Sequence, residues 1–224
     1  MLNVVLSVLC LAIMSVFICV EHKEKYTLAV ILKGLASACF VLLGVLTARK
    51  TGDADFAHLV KVGLVLGLIA DVLLNLRFVF KKFGKIVFLV GILVFLSGHI
   101  LYLCALLPGV TRLWLVLLIG VCLTALILWW IFSRIEAQMA FKIFGIFYIG
   151  AIVIMNCAAF SNLITGPGAG ILVFTIGAVS FLISDVVLIL NTFGKETKFS
   201  LRITNLTLYY IGQLLIAWSL LLIK

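Results

Sequence analysis

The sequence from Gly63 to Leu76 reads GLVLGLIADVLLNL, an apolar run that carries a single carboxylate, Asp71. Apolar runs of this kind are typical of helices that cross the hydrocarbon core of a bilayer. A carboxylate in that setting is costly, so it normally faces a protein interior or a wet cavity and marks function. The stretch therefore predicts a transmembrane helix with a functional acid near its middle.

Similar apolar runs recur from one end of the chain to the other. Of the 224 residues, 66% are hydrophobic and 11% are charged, and the mean hydropathy is +1.39. This composition leaves too little polar surface for a water-soluble globule. We predict an all-α membrane bundle of about eight transmembrane helices that forms a single domain, residues 1–224. The predicted spans are 2–20, 26–48, 58–79, 86–107, 113–133, 139–160, 168–190 and 200–223.

The basic residues predict an orientation. A net charge of +9 would suggest nucleic acid as the partner of a soluble protein, but here the basic residues lie in short loops, where they orient the chain in the bilayer. We expect the bilayer, and no nucleic acid, as the partner. The loops after spans one, three, five and seven hold Lys23, Lys25, Arg77, Lys81, Lys82, Lys85, Arg134, Lys142, Lys195, Lys198 and Arg202; the other side holds Arg49, Lys50, Lys61, Arg112 and Lys224. The more basic loops are therefore predicted to be cytoplasmic and both termini outside, with a bacterial inner membrane as the expected location.

The second half of the chain resembles the first. Residues 177–190 read GAVSFLISDVVLIL and match 63–76 at eight of fourteen positions, with an offset of 114. The same offset relates Gly98 to Gly212 without a gap. We predict two parallel four-helix repeats, 1–110 and 111–224, related by an axis near the membrane normal. Such symmetry would place Asp71 and Asp185 at equal depth.

Four polar side chains are predicted to share one layer of the membrane. Asp71, Asp185, Lys33 and Tyr148 each lie about seven to nine residues from the predicted cytoplasmic ends of their spans, or roughly 10–14 Å at ~1.5 Å per residue. One lysine cannot neutralise two carboxylates, so we expect one of them to keep its proton near neutral pH. A protonated acid beside an ionised one can act as a general acid/base pair. The alternative interpretation is a buried ion pair that only fixes helix register.

Neighbouring polar residues are predicted to support this pair. Asn75 lies one turn after Asp71, and Ser184 directly precedes Asp185, so each could hydrogen-bond a carboxyl group or a water molecule. His99 is either a catalytic group or an interhelical hydrogen-bonding group. Supporting roles are also predicted for Tyr102, Tyr210 and Gln213. The sequence contains no Gly-rich phosphate loop, GxSxG elbow or HExxH motif, so we expect a metal-free acid/base mechanism without a cofactor.

The same residues resemble the YhhN family of membrane proteins, which includes the TMEM86-type lysoplasmalogenases. The resemblance covers nearly the whole chain. Its segments are Lys33-Gly34, ADVLL around Asp71, Gly98-His99 with Tyr102, Tyr148 with Asn156, GAVSFLISDVVLILNTF from Gly177 to Phe193, and YYIGQ from Tyr209 to Gln213. The family usually has proline where this chain has Gly34.

The resemblance implies an ether-bond hydrolase with a lysophospholipid substrate. Lysoplasmalogens are 1-alkenyl glycerophosphocholines and glycerophosphoethanolamines, and hydrolysis of their vinyl-ether bond gives a fatty aldehyde and a glycerophospho-base. Asp71 and Asp185 would supply the acid and the base, with Asn156 and Asn191 among the supporting residues. The substrate phosphate could lie near one or more of four cytoplasmic basic residues, Lys81, Lys82, Lys85 and Arg202.

Two other classes of function remain open from the residues. Duplicated halves with carboxylates in the membrane also describe small proton-coupled transporters. A lipid-binding membrane protein is the second alternative, but that role would leave the buried charges unexplained.

Overall fold

The computed structural model describes residues 1–223, which form eight helices and no β-strand. All eight are long and apolar enough to cross a membrane, as predicted. Lys224, which was counted among the outer basic residues, lies outside the described residues. The helices are α1 (Leu2–His22), α2 (Tyr26–Ala48), α3 (Ala54–Val79), α4 (Gly84–Leu106), α5 (Leu113–Phe132), α6 (Met139–Thr165), α7 (Ala169–Phe193) and α8 (Phe199–Leu222).

The predicted boundaries agree with these helices to within five residues. The start of α3 shows the cause of one difference. Asp53 accepts a hydrogen bond from the backbone N–H of Phe56 at 2.9 Å, which satisfies an otherwise unpaired donor of the first turn. This N-cap lets α3 begin at Ala54, four residues before the predicted start of the apolar span.

Glycine contacts bring two helix pairs close together, α3 with α4 and α7 with α8. A Cβ atom on Gly98 would lie 3.3 Å from the carbonyl oxygen of Gly63, and one on Gly212 would lie 2.9 Å from that of Gly177. Only small residues permit backbones to approach so closely. The two glycine pairs are related by the offset of 114 residues. Equivalent positions of the two predicted repeats thus make equivalent contacts. The division of the chain into two repeats stays a prediction.

The outside of the bundle is apolar and its polar side chains lie inside. Ile31, Ile69, Val121 and Ile176 are exposed, as expected of side chains that face lipid. The most buried helix is α8, which also packs against α2. Its buried polar side chains, Asn205, Tyr209, Tyr210, Gln213 and Ser219, point into the protein. Because lipid offers no hydrogen bonds, these groups must find partners within the bundle.

Candidate active site

A cavity of about 90 Å³ lies among helices α2 to α8, and its walls are mostly apolar. The four polar side chains that were predicted to share one layer, Lys33, Asp71, Tyr148 and Asp185, all line it. Two carboxyl groups and a lysine therefore line one mostly apolar cavity within the membrane-spanning part of the protein. In such a space charges interact far more strongly than in water.

Asp71 on α3 has a complete set of partners. Lys33 Nζ lies 3.0 Å from its Oδ1 atom. On the other side, Ser37 Oγ donates to Oδ2 at 2.6 Å and Tyr209 OH donates to the same oxygen at 2.5 Å. A cation and two hydroxyl donors are the surroundings of an ionised carboxylate, because each of them stabilises negative charge.

Asp185 on α7 has much less support. Tyr148 OH donates to its Oδ2 atom at 2.8 Å. That is its single hydrogen bond to any of residues 1–223, and no lysine or arginine among them lies within ion-pair distance. The His99 Nε2 atom is 3.9 Å away, which is too far for a hydrogen bond. The two aspartates thus share a cavity but differ sharply in their charge compensation.

His99 lies among aromatic rings beside Asp185. The centroid of its ring is 4.5 Å from that of Phe181 and 5.6 Å from that of Tyr148. Neither ring nitrogen has a hydrogen-bond partner within the described part of the chain. The same part contains no group of three or more His, Cys, Asp or Glu side chains placed to hold a metal ion.

A second, partly buried chain of polar groups leads from Lys33 to the end of α1 and the start of α8. Arg202 donates to both carboxylate oxygens of Glu21, at 2.7 and 2.8 Å. Asn75 donates to Glu21 Oε1 at 3.1 Å and accepts from Lys33 Nζ at 3.4 Å. Asn75 therefore hydrogen-bonds the carboxyl group of Glu21 and not that of Asp71, which lies one turn before it in α3. It couples Lys33 to Glu21, whose charge in turn neutralises Arg202.

Three further predicted residues hold the partners of Asp71 in place. Gln213 donates to Tyr209 OH at 3.4 Å and accepts from Tyr102 OH at 3.1 Å. Tyr210 OH lies 3.3 Å from Ser37 Oγ. None of these three side chains hydrogen-bonds either carboxyl group within the described residues. Their contribution is to orient the two hydroxyls that do.

The structure does not bring Asn156, Ser184 or Asn191 to the cavity. Asn156 donates to backbone carbonyls of α6 and α7, and Ser184 donates to the carbonyl of Asn205 at 3.0 Å. Asn191 accepts from the backbone N–H of Lys198 at 2.7 Å and so fixes the loop after α7. For Ser184 the reason is geometric, because residues adjacent in a helix point in different directions. Its side chain faces α8 while Asp185 faces the cavity.

Several residues of the site were not among the predicted candidates. Ser37 follows Lys33 by one helical turn, so its place on the same face could have been read from spacing. Glu21 gives no such signal, since its partners Asn75 and Arg202 lie 54 and 181 residues further along the chain. Arg77, predicted only as a basic loop residue that orients the chain, lines the cavity as well.

Comparison with known proteins gives one match. The model of the YhhN family matches residues 28–220, a region that contains both aspartates, Lys33 and Tyr148. No curated protein and no solved structure matches the chain. A match over this much of the chain establishes membership. The chain belongs to the YhhN family.

Proposed function

We propose that this protein is a lysoplasmalogenase that hydrolyses the vinyl-ether bond of 1-alkenyl glycerophospholipids. Family membership is compatible with a hydrolase. The observation that carries the proposal is the unequal pair of aspartates in one cavity: Asp71 is held by Lys33, Ser37 and Tyr209, whereas Asp185 has Tyr148 alone. Cleavage of a vinyl ether requires one group that delivers a proton and another that supports positive charge.

Asp185 is the proton donor in this proposal. A carboxyl group in an apolar cavity without a cation favours its neutral form, because desolvation disfavours the charged form. The neutral acid transfers its proton to the β-carbon of the vinyl ether, and the electron pair of the double bond forms the new C–H bond. The α-carbon and the ether oxygen then share a positive charge as an oxocarbenium ion.

Asp71 is the carboxylate that supports this cation and activates water. Water attacks the α-carbon while Asp71 takes one of its protons, which gives a hemiacetal. Asp185, now ionised, removes the proton of the hemiacetal hydroxyl, and Asp71 returns its proton to the departing glycerol oxygen. The products are a fatty aldehyde and a glycerophospho-base, and both carboxyl groups regain their starting states. This division of labour resembles that of glycosidases.

Isotope incorporation during turnover by the purified protein in detergent tests the proposal. In D₂O, with the aldehyde reduced promptly to the alcohol, the product should carry one deuterium at carbon 2. In H₂¹⁸O the glycerol oxygen should remain unlabelled, since water attacks the vinyl carbon. An ester lysophospholipid lacks that carbon and should be a poor substrate.

Two results would count against the proposal. The first is ¹⁸O in the glycerophospho-base or the absence of deuterium at carbon 2, which would exclude the oxocarbenium route. The second is a complete lack of turnover in detergent combined with transport by the same preparation in sealed vesicles. A carrier needs a closed compartment to show its function, whereas a hydrolase does not.

A further inference from the structure

Arg77 lies where two cavities meet. It lines the inner cavity that holds Asp71 and Asp185, and it also lines an outer cavity of about 460 Å³ at the ends of α3 and α7. Phe88, Phe141 and Phe193 line both cavities as well. A molecule that reaches the aspartates from the outer cavity would therefore pass the Arg77 side chain.

The Arg77 guanidinium has no ion-pair partner within residues 1–223. Its side chain makes no ion pair or hydrogen bond there, and its Nε atom is buried without a partner. The guanidinium carbon lies 4.5 Å from the ring centroid of Phe78 and 4.3 Å from that of Phe88. Arg202, which also lines the inner cavity, is by contrast fully engaged by Glu21. An arginine fixed by aromatic rings, with its hydrogen-bond donors unused, is suited to bind a planar or tetrahedral oxyanion.

The surroundings of the outer cavity favour an anion with a cationic neighbour. Lys81 and Lys85 add positive charge to its lining, and Glu24 supplies one carboxylate. Tyr26 stacks on Phe78 at 5.2 Å between ring centroids and exposes an aromatic surface beside Glu24. Aromatic rings and a carboxylate are the groups that attract ammonium ions. A phosphodiester that carries an amine or a quaternary ammonium fits this set of residues.

The spacing along α3 matches the length of the proposed substrate. Arg77 follows Asp71 by six residues, a rise of roughly 9 Å along the helix axis. In a 1-alkenyl glycerophospholipid, seven covalent bonds separate the β-carbon of the vinyl ether from phosphorus. An extended chain of that length spans roughly 9 Å. A substrate with its vinyl ether beside the aspartates would therefore hold its phosphate at the level of Arg77.

We infer that Arg77, together with Lys81 and Lys85, binds the phosphodiester of a lysophospholipid head group. This inference rests on the proposed function for the choice of lipid. Of the four residues predicted from the sequence to lie near the phosphate, it retains Lys81 and Lys85, and it adds Arg77. Lys82 lines neither cavity, and Arg202 is occupied by Glu21.

Binding of a lipid that cannot be hydrolysed tests the site without turnover. The probe is a 1-alkyl glycerophosphocholine, whose saturated ether replaces the vinyl ether, and its phosphate-free control is the 1-alkyl glycerol. Arg77→Gln should weaken binding of the phospholipid roughly 10- to 100-fold and leave binding of the glycerol unchanged. Arg77→Lys should give a smaller loss, because it keeps the charge but not the fork of donors. Lys82→Gln is the matched control and should bind both lipids like the parent protein.

Further measurements separate the outcomes. Inorganic phosphate alone should bind at least 100-fold more weakly than the phospholipid; equal binding would make this a free-anion site and overturn the assignment. Equal losses for both lipids, or a lower unfolding temperature for Arg77→Gln, would assign Arg77 a structural role instead.

If the phospholipid binds in an Arg77-dependent way but its vinyl-ether analogue is not cleaved, the proposed reaction fails and the binding site stands. If cleavage occurs with the same KM in Arg77→Gln, the reaction stands and the site fails.

Discussion

Lys33 Nζ lies 3.0 Å from Asp71 Oδ1, and the two side chains are only 5% and 1% exposed. This pair commits the only buried lysine among residues 1–223 to one of the two cavity aspartates. Of the two carboxyl groups that share one lysine in the predicted layer, Asp71 is therefore the one that pairs with it. Asp185 keeps Tyr148 and a distant imidazole, and this difference underlies the roles proposed for the two acids.

The first prediction concerns the stability of the buried ion pair. Lys33→Met should lower the free energy of unfolding by about 3–5 kcal/mol, because it leaves the Asp71 charge buried without its cation. Lys33→Met combined with Asp71→Asn should lose less than the sum of the single changes. Thermal unfolding in detergent measures both, with the exposed Lys50→Met as control. Strictly additive losses would mean that the two residues do not interact.

The second prediction concerns catalysis by the two acids. Asp71→Asn and Asp185→Asn should each reduce lysoplasmalogen turnover roughly 100- to 10,000-fold, the usual contribution of a general acid or base. Asp55→Asn, on an exposed position at the start of α3, should retain full turnover. Near-normal turnover by a folded Asp71 or Asp185 variant would exclude the two-carboxylate mechanism.

The third prediction compares two tyrosines that donate to the acids. Tyr148 is the single hydrogen-bond donor to Asp185 within the described chain, whereas Tyr209 is one of two hydroxyl donors to Asp71 beside Lys33. Tyr148→Phe should therefore lower kcat by roughly 10-fold or more, and Tyr209→Phe should lower it less. Steady-state kinetics of the two variants in the same detergent show which substitution lowers kcat more. A larger effect of Tyr209→Phe would contradict the asymmetry of the site.

The fourth prediction tests the close contact between α7 and α8. A Cβ atom at Gly177 would lie 2.8 Å from the carbonyl oxygen of Gly212, so one backbone has to move. Gly177→Ala should cost roughly 1–3 kcal/mol of stability. Gly145→Ala on α6 meets no atom within 4 Å and should be neutral or stabilising by up to about 1 kcal/mol. Unfolding temperatures that fall equally for both variants would show that packing is not the cause.

The fifth prediction concerns orientation in the membrane. In a variant without the native cysteines, Lys82→Cys should react with an impermeant thiol reagent only from the cytoplasmic side. Asp55→Cys, close to the helix cap Asp53, should react only from outside. The physical basis is the excess of basic residues in the loops after spans one, three, five and seven. Labelling in the opposite sense would show that the predicted orientation is wrong and that the outer cavity opens on the side of the membrane away from the cytoplasm.

The sequence by itself determined the number of helices, their approximate bounds and the layer of polar side chains. These features depend on local composition: an apolar run long enough to cross a bilayer has to be helical, because every backbone group must be satisfied within it. The depth of Asp71, Asp185, Lys33 and Tyr148 followed from counting residues along each span. That count predicted a shared depth, and the packing of the helices brings the four residues to one cavity.

Only the tertiary structure decided which polar groups are partners. The rotation of each helix about its axis, and the choice of neighbouring helix, depend on packing between residues that are far apart in the chain. Lys33 could have paired with either aspartate, and Glu21 meets Arg202 across 181 residues. Ser184 faces α8 rather than the cavity, although it is adjacent to Asp185 in sequence. Depth in the membrane is a property of the individual helix, whereas contact is a property of the assembled bundle.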